Sequence, residues 1–259
     1  MNILVIGDIV GKPGRRAVRE ALAGLQNEYN VEFTIANAEN AAGGRGLTRD
    51  VKGELLNSNI DVLTMGNHVW DNKDIFNFVD DETRLIRPAN YPEPCPGRGY
   101  HVFTAGFNIK VAIINLSGRV YLPALDCPFK KLDEILLDID GLADIIIVDF
   151  HAEATSEKLA LGFYSDGRIT ALLGTHTHIQ TADERILPNG TAYITDLGMT
   201  GPVDSILGMN KTEVINRFIT QRPARFEVAT GKAQIQGVLL EIDNESNKVK
   251  NISRITREV

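Results

Sequence analysis

Cysteine is scarce in this chain. Cys95 and Cys127 are the only two in 259 residues; they lie far apart, each beside a proline, in neither zinc-knuckle nor redox-pair spacing. That excludes a disulfide scaffold and a thiolate-built metal site, and both thiols are expected reduced. Runs of Lys or Arg are missing too, and 34 acidic against 27 basic residues leave a formal charge of -7. Such a balance argues against duplex nucleic acid held by charge neutralisation. Long apolar runs are also lacking. The N-terminal apolar stretch is broken by Asp8 before it reaches the length of a signal-peptide core, and no later segment approaches membrane-spanning length. A soluble, cytoplasmic protein with no membrane partner is expected. Neither an internal repeat nor a low-complexity tract is present.

What is present is enough apolar material for one large α/β domain spanning 1–259, at 43% hydrophobic content. The first third alternates. Asn2 to Ile6 reads as a buried strand, Arg15 to Tyr29 as an amphipathic helix, Val31 to Ala36 as a strand, Thr48 to Asn57 as a helix capped by Thr48, and Ile60 to Met65 as a third strand. This βαβαβ run implies a parallel sheet covered on both faces. After the proline-dense loop "RPANYPEPCPGRG", strands are predicted at Tyr100 to Thr104 and Ile109 to Asn115. Helices are expected at Phe129 to Leu137 and near Ser156 to Leu161, with strands at Ile145 to Val148 and Thr170 to Leu173. The tail reads as antiparallel, Arg185 to Leu187 with Ala192 to Thr195, and Ile235 to Ile242 with Lys248 to Ile255. Two mixed β-sheets packed as a sandwich and flanked by helices fit better than a plain Rossmann fold.

Ligand sites in such sheets lie beyond the carboxyl ends of the parallel strands. Asp8 follows the first strand, Glu39 and Asn40 the second, Asn67 and His68 the third. His151 follows the strand ending near Val148, and His176 and His178 follow the last. Four of the five histidines therefore fall at predicted strand ends, a convergence that metal binding explains and unrelated core histidines do not. The fifth, His101, lies inside an alternating strand and reads as structural. Singly, each position has a plainer reading: Asp8 as a turn residue, the histidine pair as surface groups on a loop. In extended geometry His176 and His178 would face the same side, so both imidazoles could serve one site. Carboxylate, carboxamide and imidazole together suit iron, manganese, zinc or nickel better than calcium or magnesium. Six or seven candidate ligands, with one carboxylate able to bridge, point to two metal ions.

In that order, Asp8, Glu39 with Asn40, "GNH" at Gly66 to His68, His151 and "GTHTH" at Gly174 to His178 resemble the calcineurin-like metallophosphoesterases. More closely, "GDIVGKPGR", "NAENAAGGRGLT", "MGNHVWD" and "LLGTHTHIQTADERILPNGTAYITDLGMTGP" resemble the bacterial YmdB-like branch, nearly from end to end. That branch consists of binuclear-iron phosphodiesterases acting on cyclic nucleotides. The resemblance implies that Asp8, Glu39, Asn40 and His178 hold one metal and Glu39, Asn67, His151 and His176 the other, with Glu39 bridging. It also implies that His68 stays free of metal and protonates the leaving oxygen. Iron is the implied metal, with manganese or zinc as alternatives, and a 2′,3′-cyclic nucleotide the implied substrate. The wider superfamily places a histidine two residues after the first aspartate and an aspartate at the bridge; here those places hold Val10 and Glu39, and Asn40 would supply the missing ligand.

Two divalent ions against two carboxylates leave the site positive, which reconciles an acidic chain with a phosphate substrate. Other readings stay open: a phosphomonoesterase, a zinc amidohydrolase, or a metal- or nucleotide-binding regulator with weak or no turnover. Gly11-Lys12-Pro13-Gly14 superficially suggests a phosphate loop but lacks the Walker spacing, and is read as the turn into a helix. Gly43 to Gly46, "GGRG", is either a solvated turn or a way of bringing Arg45 near phosphate. Arg119 is either a surface ion-pair residue or a contact for substrate or partner subunit, and a homo-oligomer is compatible with the sequence. Ser156 is expected to cap its helix.

Overall fold

The computed structural model describes residues 1–259, the side chain of Phe107 excepted. The first strand, β1 (Asn2–Ile6), is apolar almost throughout because both its faces are covered. Leu4 and Ile6 pack toward a helix layer, while Ile3 and Val5 pack toward a second sheet. The chain continues through β2 (Asp8–Ile9), α1 (Gly11–Glu28), β3 (Phe33–Asn37), α2 (Arg49–Leu56), β4 (Val62–Thr64) and β5 (Leu85–Ile86). Then come β6 (Tyr100–Thr104), β7 (Lys110–Ser117), α3 (Pro128–Asp138), β8 (Ile145–His151), α4 (Thr155–Ser165) and β9 (Ala171–Thr175). The last part holds β10 (Arg185–Ile186), β11 (Ala192–Ile194), β12 (Met199–Pro202), α5 (Lys211–Thr220), β13 (Ala233–Ile242) and β14 (Val249–Glu258).

Two mixed sheets result. The first has the order β2-β12-β13-β1-β3-β4-β5, with β14 also on β13. In it β1, β3, β4 and β5 run parallel, and β13 runs antiparallel to β1. The second has the order β10-β11-β9-β8-β7-β6, parallel in its centre with antiparallel edges. Val18, Leu22, Leu25 and Leu55 of α1 and α2 cover the outer face of the first sheet. Leu132, Ile135 and Leu161 of α3 and α4 cover the outer face of the second. Ile35, Val62, Ile113 and Ile147 meet between the sheets. Each such fully buried aliphatic side chain contributes roughly 1.5–3 kcal/mol. The architecture is the helix-flanked two-sheet sandwich expected from the sequence.

Some boundaries differ. Helix α1 begins at Gly11 rather than Arg15: Gly11 takes a left-handed φ of +55° and Pro13 pre-sets the helical φ, so Gly11 to Gly14 form the first helical turn. Thr48 does cap α2, accepting from the Val51 amide at 3.3 Å. Ser156 does not cap α4; Ala154 holds that position and Ser156 lies exposed in the first turn. β8 runs on to His151, which ends a strand rather than following one. β2, β5 and β12 are too short to show a period, and α5 turns Ile215, Phe218 and Ile219 to solvent instead of burying a stripe. Among the described residues, no helix is long and apolar enough to cross a membrane.

Candidate metal centre

The carboxyl ends of the parallel strands in both sheets open onto one place. Asp8 begins β2, Glu39 and Asn40 follow β3, and Asn67 and His68 follow β4. From the second sheet, His151 ends β8 and His176 comes directly after β9, with His178 next but one. Asp8, Glu39, Asn40 and His151 are buried. All seven sequence-predicted ligand residues are thus brought together, with His68 beside them.

Each of the three clustered imidazoles is pinned by its outer nitrogen and presents the other inward. His151 Nδ1 meets Thr175 Oγ1 at 2.9 Å, and that hydroxyl in turn donates to Asp149 Oδ1 at 2.6 Å, so the ring nitrogen must be the donor. His176 Nε2 lies 3.1 Å from Glu153, and His178 Nδ1 donates to the Leu207 carbonyl at 3.1 Å. The inward atoms then crowd together. His151 Nε2 lies 3.1 Å from Glu39 Oε1, 3.0 Å from Asn67 Oδ1 and 3.0 Å from His176 Nδ1. Glu39, His151 and His176 offer donor atoms all within 4.8 Å of one another. Asp8 Oδ1 is buried without a hydrogen-bond partner and lies 3.8 Å from His178 Nε2. Converging acceptor atoms, which a proton on His151 Nε2 serves in place of an ion, and an orphaned carboxylate oxygen call for positive charge between them, and carboxylate, amide oxygen and imidazole are a donor set that suits a transition-metal ion. Gly66 leaves the room: a Cβ there would lie 2.4 Å from both Glu39 Oε2 and His151 Nε2.

Two expectations change in detail. His176 and His178 do not converge by strand alternation; their φ angles are +104° and +63°, so a left-handed loop turns both rings inward. That loop is held by Asp196, which accepts from the Thr177 amide at 3.0 Å and hydroxyl at 2.8 Å. Asn40 points its amide nitrogen at Glu39 Oε1 (3.1 Å) and His178 Nε2 (3.2 Å), and presents an oxygen to a cation only with the amide turned over.

Electrostatics follow from burial. It pushes the Asp8 carboxyl up to about 6, against the pull of His178 and His151. Burial also raises Glu39, but the charge and hydrogen bond of His151 outweigh it and bring the group down to about 2. The reciprocal holds for His151, which burial lowers but Glu39 and Asp8 carry up to about 9. Burial and the charge on His151 lower His176 to about 3, so its imidazole is neutral with a free lone pair.

His68 stands apart. Its amide donates to Glu39 Oε2 at 3.0 Å, while its ring Nδ1 meets Asp71 Oδ2 at 2.9 Å, leaving Nε2 to the adjoining cleft. That cleft, about 440 Å³, has Glu39, Asn40, His68, His176 and His178 on one side. Ile206, Leu207, Met209, Phe218 and Phe226, with Arg45 and Arg217, form the other. Sequence reasoning did not single out Asp71, Asp149, Glu153 or Thr175; Asp71 and Glu153 do sit three and two residues past His68 and His151, the nearest thing to a signal. Arg119 gives its backbone amide to Glu157 at 3.0 Å and does not line the cleft.

The chain has relatives among known proteins. A family model described as "YmdB-like protein" matches residues 4–255. The 2′,3′-cyclic-nucleotide 2′-phosphodiesterase of Bacillus subtilis (strain 168) is 54% identical over 255 residues, covering 98% of this chain and 96% of that protein. Among solved structures, a hypothetical protein from Thermus thermophilus is 41% identical with a TM-score of 0.94, covering 100% of this chain and 99% of the other. A chain titled as a novel phosphatase of Mycoplasma pneumoniae is 38% identical with a TM-score of 0.93, covering 100% and 93%.

Proposed function

The chain belongs to the YmdB-like family, a branch of the calcineurin-like metallophosphoesterases, and on that premise we propose that it is a metal-dependent phosphodiesterase that hydrolyses 2′,3′-cyclic nucleotides at the P–O2′ bond. The observation that carries this reading is the set of inward-facing ring nitrogens of His151, His176 and His178, gathered with Asp8 and Glu39 at the mouth of a cleft. The substrate class rests on the name of the Bacillus subtilis relative. The site is read as the work of one domain spanning 1–259, a reading that the pairing of β13 with β1 supports.

Asp8, Glu39, Asn40 and His178 would hold one ion, and Glu39, Asn67, His151 and His176 the second, with iron assigned by family analogy and manganese or zinc fitting the same donors. Bound there, the ions supply Lewis-acid polarisation of the phosphoryl oxygens and a lowered pKa for water. Only Asp8 and Glu39 bring negative charge, so the site attracts the phosphate. Thr175, Glu153 and the Leu207 carbonyl fix which imidazole nitrogen faces inward. Asp71 fixes the His68 ring in the same way and turns Nε2 toward the cleft. As water adds to phosphorus and the P–O2′ bond breaks, His68, as the imidazolium with Nδ1–H held by Asp71, passes its Nε2 proton to O2′ and is restored by the proton that the water loses, leaving a nucleoside 3′-phosphate.

The test is a substrate panel on metal-reconstituted protein: 2′,3′-cyclic AMP, 3′,5′-cyclic AMP, bis-p-nitrophenyl phosphate and p-nitrophenyl phosphate, with products separated by chromatography. Hydrolysis of the 2′,3′-cyclic nucleotide to the 3′-phosphate, faster than the monoester, is expected. Full metal content with no turnover of any diester would leave the protein a metal- or nucleotide-binding regulator, and faster monoester hydrolysis would make it a phosphomonoesterase.

A further inference from the structure

We propose that the preferred substrate is longer than one nucleotide: a short single-stranded oligoribonucleotide ending in a 2′,3′-cyclic phosphate, its upstream phosphates lying on a basic, aromatic-lined track that leads out of the cleft. This rests on the phosphodiesterase reading above. Cyclic 2′,3′-phosphates arise when a ribose 2′-hydroxyl attacks the neighbouring phosphodiester and breaks the strand. The chemistry that makes them therefore leaves them at the end of an RNA fragment, with upstream nucleotides attached.

The cleft does not end behind the metal centre. Arg45, Met209, Arg217 and Phe226 form a wall shared with a second hollow of about 480 Å³. Gly43, Arg225 and Phe226 in turn join that hollow to a third, of about 550 Å³, bounded by Lys12 and Arg16. The catalytic cleft alone is already of the size that small-molecule sites have, about 300–1,000 Å³. The other two hollows exceed what a mononucleotide needs.

The lining of this path is unlike the rest of the surface. The molecule carries a net charge of -7, yet Lys12, Arg45, Arg217 and Arg225 are all exposed along one path, and among the described residues none of their side chains enters an ion pair. Arg16, at the far end, is not free: it gives one guanidinium N–H to the Gly231 carbonyl, and its Nε, without a hydrogen-bond partner, lies 3.9 Å from the Glu20 carboxylate. Glu227 and Glu153 are the carboxylates that face the path besides the metal-centre Glu39. Phe226 borders all three hollows, with the Arg217 guanidinium 5.6 Å above its ring, and Phe218 stands 72% exposed at the cleft wall. Free cations in a row with aromatic faces between them are what single-stranded nucleic acid requires: phosphates on the charges, bases on the rings. The net charge of -7 still argues against duplex held by charge neutralisation.

Two measurements test this with one pair of ligands, a 2′,3′-cyclic mononucleotide and a fluorescein-labelled pentaribonucleotide ending in 2′,3′-cyclic phosphate. Turnover is compared on metal-loaded protein, and binding of the 3′-phosphate form of the pentamer is followed by anisotropy on metal-free protein. The pentamer is expected to exceed the mononucleotide in kcat/KM by about tenfold at low salt, through KM, with a log-log salt slope of roughly -2 for three phosphate contacts. Lys12→Ala with Arg225→Ala, both on the exposed path outside the catalytic cleft, should erase that advantage and the anisotropy while sparing the mononucleotide. Equal kcat/KM for the two ligands, or variants that bind pentamer as well as the parent, overturns the track. Binding that Lys12 and Arg225 support, with no turnover of either ligand, keeps the track and sinks the hydrolytic reading instead.

Discussion

Lys158 Nζ meets Asp196 Oδ2 at 2.7 Å with both side chains fully buried, directly behind the loop that carries His176 and His178. The same carboxylate accepts the Thr177 amide and hydroxyl, and its other oxygen accepts the Gly198 amide at 2.9 Å. The pair ties α4 to the two histidines and supports their left-handed backbone, which an unbraced loop would relax. Truncating Lys158 leaves an unpaired buried charge, so Lys158→Ala should cost roughly 3–5 kcal/mol in denaturant unfolding and lower metal content with it. A Lys158→Met, Asp196→Leu double variant should recover part of the stability without recovering the metal.

Removing the imidazole of His68 should leave metal in place and reduce kcat by about 10²–10⁴-fold on an alkyl-leaving diester. With p-nitrophenolate as leaving group, which needs no proton, the loss should be much smaller. Asp71→Asn should show the same leaving-group dependence with a lesser effect; an alkyl ester turned over at the parental rate by His68→Ala would exclude the acid role.

Asp8→Ala and His176→Ala should release metal, measured by elemental analysis after dialysis. Asn40→Ala is the sharper case, because Val10 stands where the wider superfamily has histidine and the amide must turn over to ligate. Loss of one ion of two is expected, and an unchanged count would remove Asn40 from the centre.

Thr175 acts through His151. Thr175→Val keeps the shape but removes the acceptor for Nδ1 and the donor to Asp149, so metal affinity should fall by about 10–100-fold in a competitive chelator titration. Thr175→Ser should restore it, an outcome that simple loss of packing would not produce.

The metal-free protein should lose stability as pH rises. His151, raised from 6.5 to about 9, contributes stability that is complete below pH 6.5 and gone above pH 9; the contribution of Asp8, raised from 3.8 to about 6, is already lost by pH 6, and the opposite slope from His176, lowered from 6.5 to about 3, is confined below pH 6.5. The melting temperature of chelator-treated protein should therefore fall from pH 6 to pH 9. Added manganese should flatten the decline, since the ion replaces the His151 proton.

The strand-end candidate ligands were legible because a parallel strand announces itself as an apolar run and its end as a break into Gly, Asn, Asp or His. Asp8, Glu39, Asn67 and His176 all sit at such breaks. The groups that aim them were not legible. Asp149 reaches Asn37 across 112 residues of sequence, and Lys158 reaches Asp196 across 38. No local pattern encodes those meetings; only the topology makes them. The His-x-His spacing suggested the right neighbours for a wrong reason, strand alternation in place of a left-handed turn. Helix α5 stayed hidden because its Ile215, Phe218 and Ile219 face outward, which is not how a helix in a packed core reads.

The pairing of β1 with β13, and of Asp8 in β2 with Met199 in β12, sets an order of events during synthesis. Asp8 is synthesised long before Leu207, whose carbonyl pins His178, and β1 waits for residues Gly237 to Glu241 to cover its second edge. The candidate centre therefore assembles only after Leu207 and β13 have been made, so a product that stops before them exposes a bare, adhesive strand edge and lacks the carbonyl that aims His178.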